Sequence, residues 1–213
     1  LSPEGKLKGD LTLFNWGDGK YWIMGSYYLR QWHKRWFADH KGPNVMLHDL
    51  SDDNCGFSIS GPNATKIIQT IQPDLDLSFM GCGTFDLGLL RCKVGRLSVT
   101  GELGYEIHCH ANEHIALRRM LLAAGADHGL KEVGFNALLS LRIEKSFGIW
   151  SAEFTQDRTA AMTGMDRWID WQKPDFNGRD AAMKERDTGP DQVLVTLGLN
   201  SPDADCAGYE PVW

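Results

Sequence analysis

Apolar and polar side chains alternate over residues 9–15 and again over 20–24, which predicts a pair of strands; Gly17-Asp18-Gly19 between them has the composition of a hairpin turn. The period then lengthens. Leu29, Trp32, Trp36 and Phe37 fall on one side of a helix over residues 29–39, with Arg30, Lys34 and Arg35 on its other faces. Residues 45–50 and 56–60 read as strands. Gly61-Pro62 opens a helix running to Ile71, with proline near the first turn where a missing N–H costs little, and Ile67, Ile68 and Ile71 supply its buried side. Strands are predicted next over 89–94 and 96–110, the second broken by a glycine-marked bend. Asn112 has the chemistry of a cap for a helix that ends at Gly125. The helix after it starts near Gly134, and Val133, Ala137, Leu138 and Leu141 form its apolar stripe. Arg142 and Lys145 fall in its last turn, where cations suit the helix dipole. After the breaker Asp187-Thr188-Gly189-Pro190, residues 192–199 read as one further strand.

This order lacks the regular βαβ alternation of a parallel sheet. It predicts an α+β fold, with two packed subdomains of mainly antiparallel sheet and helices on one side. The expected division is 1–188 for this region and 189–213 for the beginning of a C-terminal β-barrel-like unit.

Composition narrows the function classes. A chain of 213 residues suffices for one large domain or two small ones, and its apolar content of 42% is ordinary for a globular protein. No apolar run approaches a membrane span, and residues 1–4 do not resemble a signal peptide, so no membrane partner is expected. A formal charge of −6 argues against nucleic acid. The five cysteines, at 55, 82, 92, 109 and 206, are odd in number and scattered. They fit free thiols in a reducing compartment, the cytoplasm or, in a eukaryote, the mitochondrial matrix. Both ends of the sequence read as those of a piece of a longer protein.

The chemistry concentrates around Ser98-Val99-Thr100-Gly101-Glu102-Leu103-Gly104-Tyr105. Here glycines at 101 and 104 allow a tight turn that presents the Glu102 carboxylate. With Arg142 at a helix end, it makes an acceptor and donor pair suited to a polar heterocycle. Alone, such residues are more often solvated surface groups. His108, Cys109, His110 and His114 are not read as metal ligands, because 108 and 110 share one strand face and 109 takes the other. Gly81-Cys82-Gly83 lacks the third glycine of a dinucleotide fingerprint.

The run Thr100-Gly101-Glu102-Leu103-Gly104-Tyr105-Glu106, followed by Ala137-Leu138-Leu139-Ser140-Leu141-Arg142-Ile143-Glu144-Lys145, resembles the folate-binding region of the aminomethyltransferase superfamily. That superfamily takes in the glycine-cleavage T-protein and the C-terminal halves of dimethylglycine and sarcosine dehydrogenases. Residues 6–12, 60–64, 173–179 and Gly208-Tyr209-Glu210-Pro211-Val212 match in the same order, so the resemblance spans nearly the whole chain.

The resemblance implies a tetrahydrofolate-dependent one-carbon transferase. It would capture an iminium or aminomethyl carbon from an N-methylated glycine-derived donor and yield 5,10-methylenetetrahydrofolate. Asp10 is implied as the acid near the reactive nitrogens, Glu102 as the acceptor for the pterin, and Arg142 as the cation at the p-aminobenzoyl-glutamate side. Many relatives have an aromatic residue where this chain has Val99, a loss of about 1 kcal/mol of stacking. Tyr21, Tyr27, Tyr28 and Tyr105 are candidates to replace that ring. The run from Arg142 to Trp150 is most similar to the dimethylglycine and sarcosine dehydrogenase branch. That branch implies a flavin-dependent oxidase or dehydrogenase domain or subunit as partner, with FAD held only there. Two alternatives stay open: a non-catalytic folate-fold binding or assembly module, and a folate-dependent demethylase with another methyl donor.

Overall fold

The computed structural model describes residues 1–200, 202, 203 and 206. Its class is α+β, with two antiparallel sheets. The first is a hairpin of β1 (Thr12–Asn15) and β2 (Tyr21–Met24), in register from Thr12–Met24 to Asn15–Tyr21. Gly17, Asp18 and Gly19 all take positive φ, as a turn between twisted strands demands. The second sheet contains β3 (Asn54–Ser60), β4 (Cys82–Leu87), β5 (Leu90–Gly95) and β6 (Gly104–His110), in the order β3-β6-β5-β4.

Strand alternation divides the larger sheet into two unlike faces. Tyr105, Ile107 and Cys109 of β6, with Cys92 and Val94 of β5, are buried against α2 (Ala64–Ile71) and α3 (His114–Gly125). Ile67 and Ile68 answer from α2, Leu117 and Leu121 from α3. The opposite face carries Lys93, Gly95 and His108, and the hairpin covers it. Phe14 and Trp22 both meet the His108 ring edge-on, with centroids 6.1 Å apart. The Lys93 ammonium lies 4.2 Å from the Trp16 ring centroid and 5.2 Å from that of Trp22. Gly95 is required by this approach, because a Cβ there would stand 2.4 Å from the Phe14 ring.

A second, smaller core gathers Leu7, Phe154 and Ala160 with Leu1, Trp150, Met165 and Ile169. It joins the first residues of the chain to the segment after α4 (Phe135–Glu144). The Leu7 N–H donates to the Arg158 carbonyl at 2.8 Å, and Lys6 bridges to Thr159. Against it lies α5 (Arg179–Thr188), close enough that Gly5 abuts Ala181 and Gly178 abuts the Ser2 carbonyl.

Several expectations need correction. Residues 45–50 form no strand; they run as a surface loop tied to α1 (Arg30–His40) by ion pairs Lys34–Asp49 at 3.6 Å and Arg30–Asp52 at 3.0 Å. The β4 strand was missed, although Thr84 and Asp86 alternate with Phe85 and Leu87. Residues 96–103 are not half a strand but an extended entry and a turn, since Ser98 bonds across it to the Glu102 carbonyl at 2.6 Å. Gly125 does not adopt the left-handed conformation that ends many helices. A short 3-10 turn, Ala126–His128, continues the chain, and Gly129 takes φ +73° instead. Residues 192–199 form no strand, although Leu194 donates to the Met162 carbonyl at 2.8 Å. The matching segment 208–212 lies outside the described residues. No helix among the described residues is long and apolar enough to cross a membrane.

Leu117 is fully buried between α3 and the sheet. Leu117→Ala is expected to lower stability by about 2–5 kcal/mol, read as a fall in the urea midpoint at unchanged slope.

Candidate functional site

The turn at 98–103 links β5 to β6 and is built from short-range bonds. Gly101 N–H donates to the Ser98 carbonyl at 3.3 Å, and the Thr100 hydroxyl reaches the Ser98 hydroxyl at 3.4 Å. Gly101 takes φ +69°, and a Cβ there would also press on Lys145 and Phe147. Gly104 is needed for a different reason. Its φ is not positive, but a Cβ would lie 2.7 Å from Ser98 and 2.8 Å from the Ile59 carbonyl.

The turn and the end of α4 do meet, as the sequence suggested, but through another cation. The Lys145 Nζ stands 2.8 Å from a Glu102 carboxylate oxygen, both groups half-exposed. That contact raises the Lys145 ammonium above its ordinary value, through the hydrogen bond first and the charge of Glu102 second. Beside it lies a cavity of about 190 Å³ lined by Glu102, Arg96, Phe79, Leu97, Leu103 and the two glycines. Arg96 donates to the Leu77 carbonyl at 2.9 Å, which fixes its guanidinium at the wall.

Arg142 is buried in the last turn of α4. One of its terminal nitrogens donates to the Glu153 carboxylate at 2.5 Å and to the Phe147 carbonyl at 2.9 Å. The same carboxylate oxygen accepts from the Ile149 N–H at 3.1 Å. Arg142 therefore clamps the 147–153 turn from within. Burial alone would push the Glu153 carboxyl up. The bonds from Arg142 and Ile149, with the Arg142 charge, outweigh it and hold the carboxyl below its ordinary 4.5.

Asp10 precedes β1 and is half-buried. Burial raises its carboxyl above the ordinary 3.8, and no other cause contributes. Its approach is set by α1: His33 is buried, its Nε2 lies 3.2 Å from the Lys8 carbonyl, and a Cβ on Gly9 would be 2.6 Å from that nitrogen. Burial lowers the His33 pKa, and its bond to the Lys8 carbonyl only partly offsets this.

None of the four tyrosines offered for stacking lines the cavity. The Tyr105 ring is buried in the helix-facing core, and its hydroxyl meets that of Thr65 at 2.9 Å. Tyr28 sits in the short 3-10 turn before α1, 96% exposed. Sequence reasoning missed Arg96, Phe79 and Glu153. Arg96 was hidden inside a supposed strand, and nothing local marks Glu153 as the partner of a residue eleven positions away.

An antiparallel sheet with two helices on one face, and a glycine turn clasped by the end of a third, defines a fold class. It is shared with the crystal structure of the glycine cleavage system aminomethyltransferase T from Bartonella henselae, at a TM-score of 0.75 and 20% identity over 89% of this chain and 52% of that one. The GCVT N-terminal domain family matches residues 1–173, and the chain belongs to that family. Similar proteins include mitochondrial dimethylglycine dehydrogenase of Rattus norvegicus, 28% identical over all of this chain and 26% of that protein. An aminomethyltransferase of Desulforamulus reducens is 27% identical over 98% of this chain and 58% of its own length. The chain thus spans about a quarter of the first and little over half of the second.

Removing the partner of Arg142 leaves a buried charge. Glu153→Ala is expected to destabilise the protein at pH 7 by about 3 kcal/mol, the low end for such a pair because Glu153 keeps some water contact. A depressed carboxyl stabilises the fold above its ordinary value and loses that contribution as pH falls through the folded value. The gap between parent and variant in urea titrations should therefore be full above pH 4.5 and shrink below it.

Proposed function

We propose that this chain is the folate-binding part of a one-carbon transferase, which places an iminium or aminomethyl carbon on tetrahydrofolate. One observation carries the reading: an acceptor carboxylate, Glu102, and a donor guanidinium, Arg96, line the same cavity. A pterin edge offers N–H donors beside a carbonyl acceptor, so the cavity's donor set fits it. Tetrahydrofolate, when bound, supplies the nucleophilic nitrogens.

The chain's own residues do the remaining work. Glu102 accepts from the N–H edge while Lys145 restrains its carboxylate; Arg96 donates to the carbonyl. Phe79, Leu97 and Leu103 form the apolar wall. Asp10, short of water, is the group for positive charge at the transferring carbon, or for the proton it releases. Arg142, already engaged by Glu153, serves as a positioning residue for the turn that packs on Gly101. In this reading the carbon comes from an N-methylated glycine-derived donor. A flavin-dependent oxidase or dehydrogenase, as domain or subunit, supplies it and holds the FAD. The similarity to dimethylglycine dehydrogenase supports that partner. A purely structural module has no use for a carboxylate kept short of water at Asp10, which favours the catalytic reading.

The test is calorimetric titration with tetrahydrofolate without oxygen. Micromolar binding is expected, weakened roughly 10- to 100-fold in Glu102→Ala, the worth of a bond to a charged group, and largely kept in Asp10→Asn. Equal affinity in Glu102→Ala and the parent would overturn the assignment of the cavity. Asp10 yields a separate expectation. Because its carboxyl is raised in the folded state, its ionisation penalises the fold above that raised value, and the penalty is absent below the ordinary 3.8. Asp10→Asn should raise the melting temperature at pH 7, and the gain should vanish in melts below pH 3.8.

A further inference from the structure

Three cysteines stand side by side across the helix-facing side of the large sheet. Cys55 on β3 and Cys109 on β6 are direct register partners, and their sulfurs are 3.9 Å apart. Lys93 pairs with His108, so Cys92 falls on the other side of Cys109. The three differ in access. Cys92 and Cys109 are buried, whereas Cys55 is half-buried at the sheet edge.

We propose that Cys55 and Cys109 form a reversible dithiol–disulfide pair, a modification site that staples the edge strand β3 to β6. Directly opposed residues of an antiparallel pair have Cβ atoms roughly 4.5–5.5 Å apart, and a disulfide needs about 3.5–4.5 Å, so rotation of the two side chains and a small strand movement suffice. The oxidant is hydrogen peroxide. The Cys55 thiolate sulfur attacks a peroxide oxygen, the O–O bond breaks, and the departing hydroxide takes a proton to leave as water. The resulting sulfenic acid is then attacked by the Cys109 sulfur. The S–S bond forms as the S–OH bond breaks, and the Cys109 proton leaves with the hydroxyl as a second water. Two electrons pass from the thiol pair to the peroxide.

The order of events follows from access. Burial, then the bond from Cys55, pushes the Cys109 thiol up to about 12. Burial pushes Cys92 up to about 11. Neither buried thiol is a ready nucleophile toward a solute, which leaves Cys55 to react first and Cys109 to resolve it. The bond would close a loop over β4, β5, α2 and the Glu102 turn, all of which lie between residues 55 and 109. It therefore restricts the unfolded chain without touching the cavity.

The full chain is exposed to hydrogen peroxide, and unreacted thiols are alkylated in denaturant. Peptides are then mapped without reduction. The expected result is a Cys55–Cys109 linkage in the parent and in Cys92→Ala, reversed by dithiothreitol and absent in Cys55→Ser and Cys109→Ser. The oxidised parent should melt several degrees higher than the reduced form, as a cross-link over a loop of this length implies. A linkage through Cys92 instead, or sulfinic acid at Cys55 with Cys109 still free, overturns the proposal. So does an intact pair of thiols after peroxide has consumed a free cysteine standard. Because Cys92→Ala keeps both members of the pair, misfolding of the serine variants does not decide the outcome.

Discussion

The rest of the structure depends on the burial of β6 from both sides. Its odd-numbered side chains, Tyr105, Ile107 and Cys109, are buried because two helices lie on them. On the even-numbered side His108 is buried as well, under an aromatic hairpin. A strand sandwiched in this way cannot slip by one residue without exchanging its two environments, so register is strictly imposed. Everything attached to β6 inherits that rigidity. The Glu102 turn is its immediate predecessor, and the turn's glycines fit only because β6, β3 and the end of α4 stand where they do.

Much of this was legible in the sequence, for identifiable reasons. The hairpin announced itself through alternation and Gly17-Asp18-Gly19, and α2 through Ile67, Ile68 and Ile71, because those patterns follow directly from burial on one side. The loop at 45–50 misled because Val45, Met46 and Leu47 look like a strand, yet no strand pairs with them among the described residues and their side chains stay exposed. Glu102 and Asp10 were visible as a turn carboxylate and a strand-entrance acid. The setting of Arg142 was not, since its partner Glu153 is joined to it only by the fold. The choice between Arg142 and Lys145 as the cation beside Glu102 is a matter of three residues on one helix, and tertiary packing made it.

The two charged contacts at the end of α4 illustrate how burial sorts apparently equivalent residues. Arg142 points inward and is held by a carboxylate and a carbonyl; Lys145 points outward and shares its carboxylate with solvent. The first contact is a matter of stability, because an unpaired guanidinium has no favourable place in that interior. The second is weak and adjustable, as exposed pairs are. An exposed, adjustable contact thus stands beside the cavity, and a buried, rigid one lies behind it.

The hairpin that covers the large sheet has only two strands of four residues each. A ribbon of that size is marginal in water by itself and persists because Phe14, Trp16 and Trp22 find the sheet beneath them. Asp10 lies just upstream of the same ribbon. The place of that carboxylate therefore depends on contacts with β5 and β6, strands far from it in the chain.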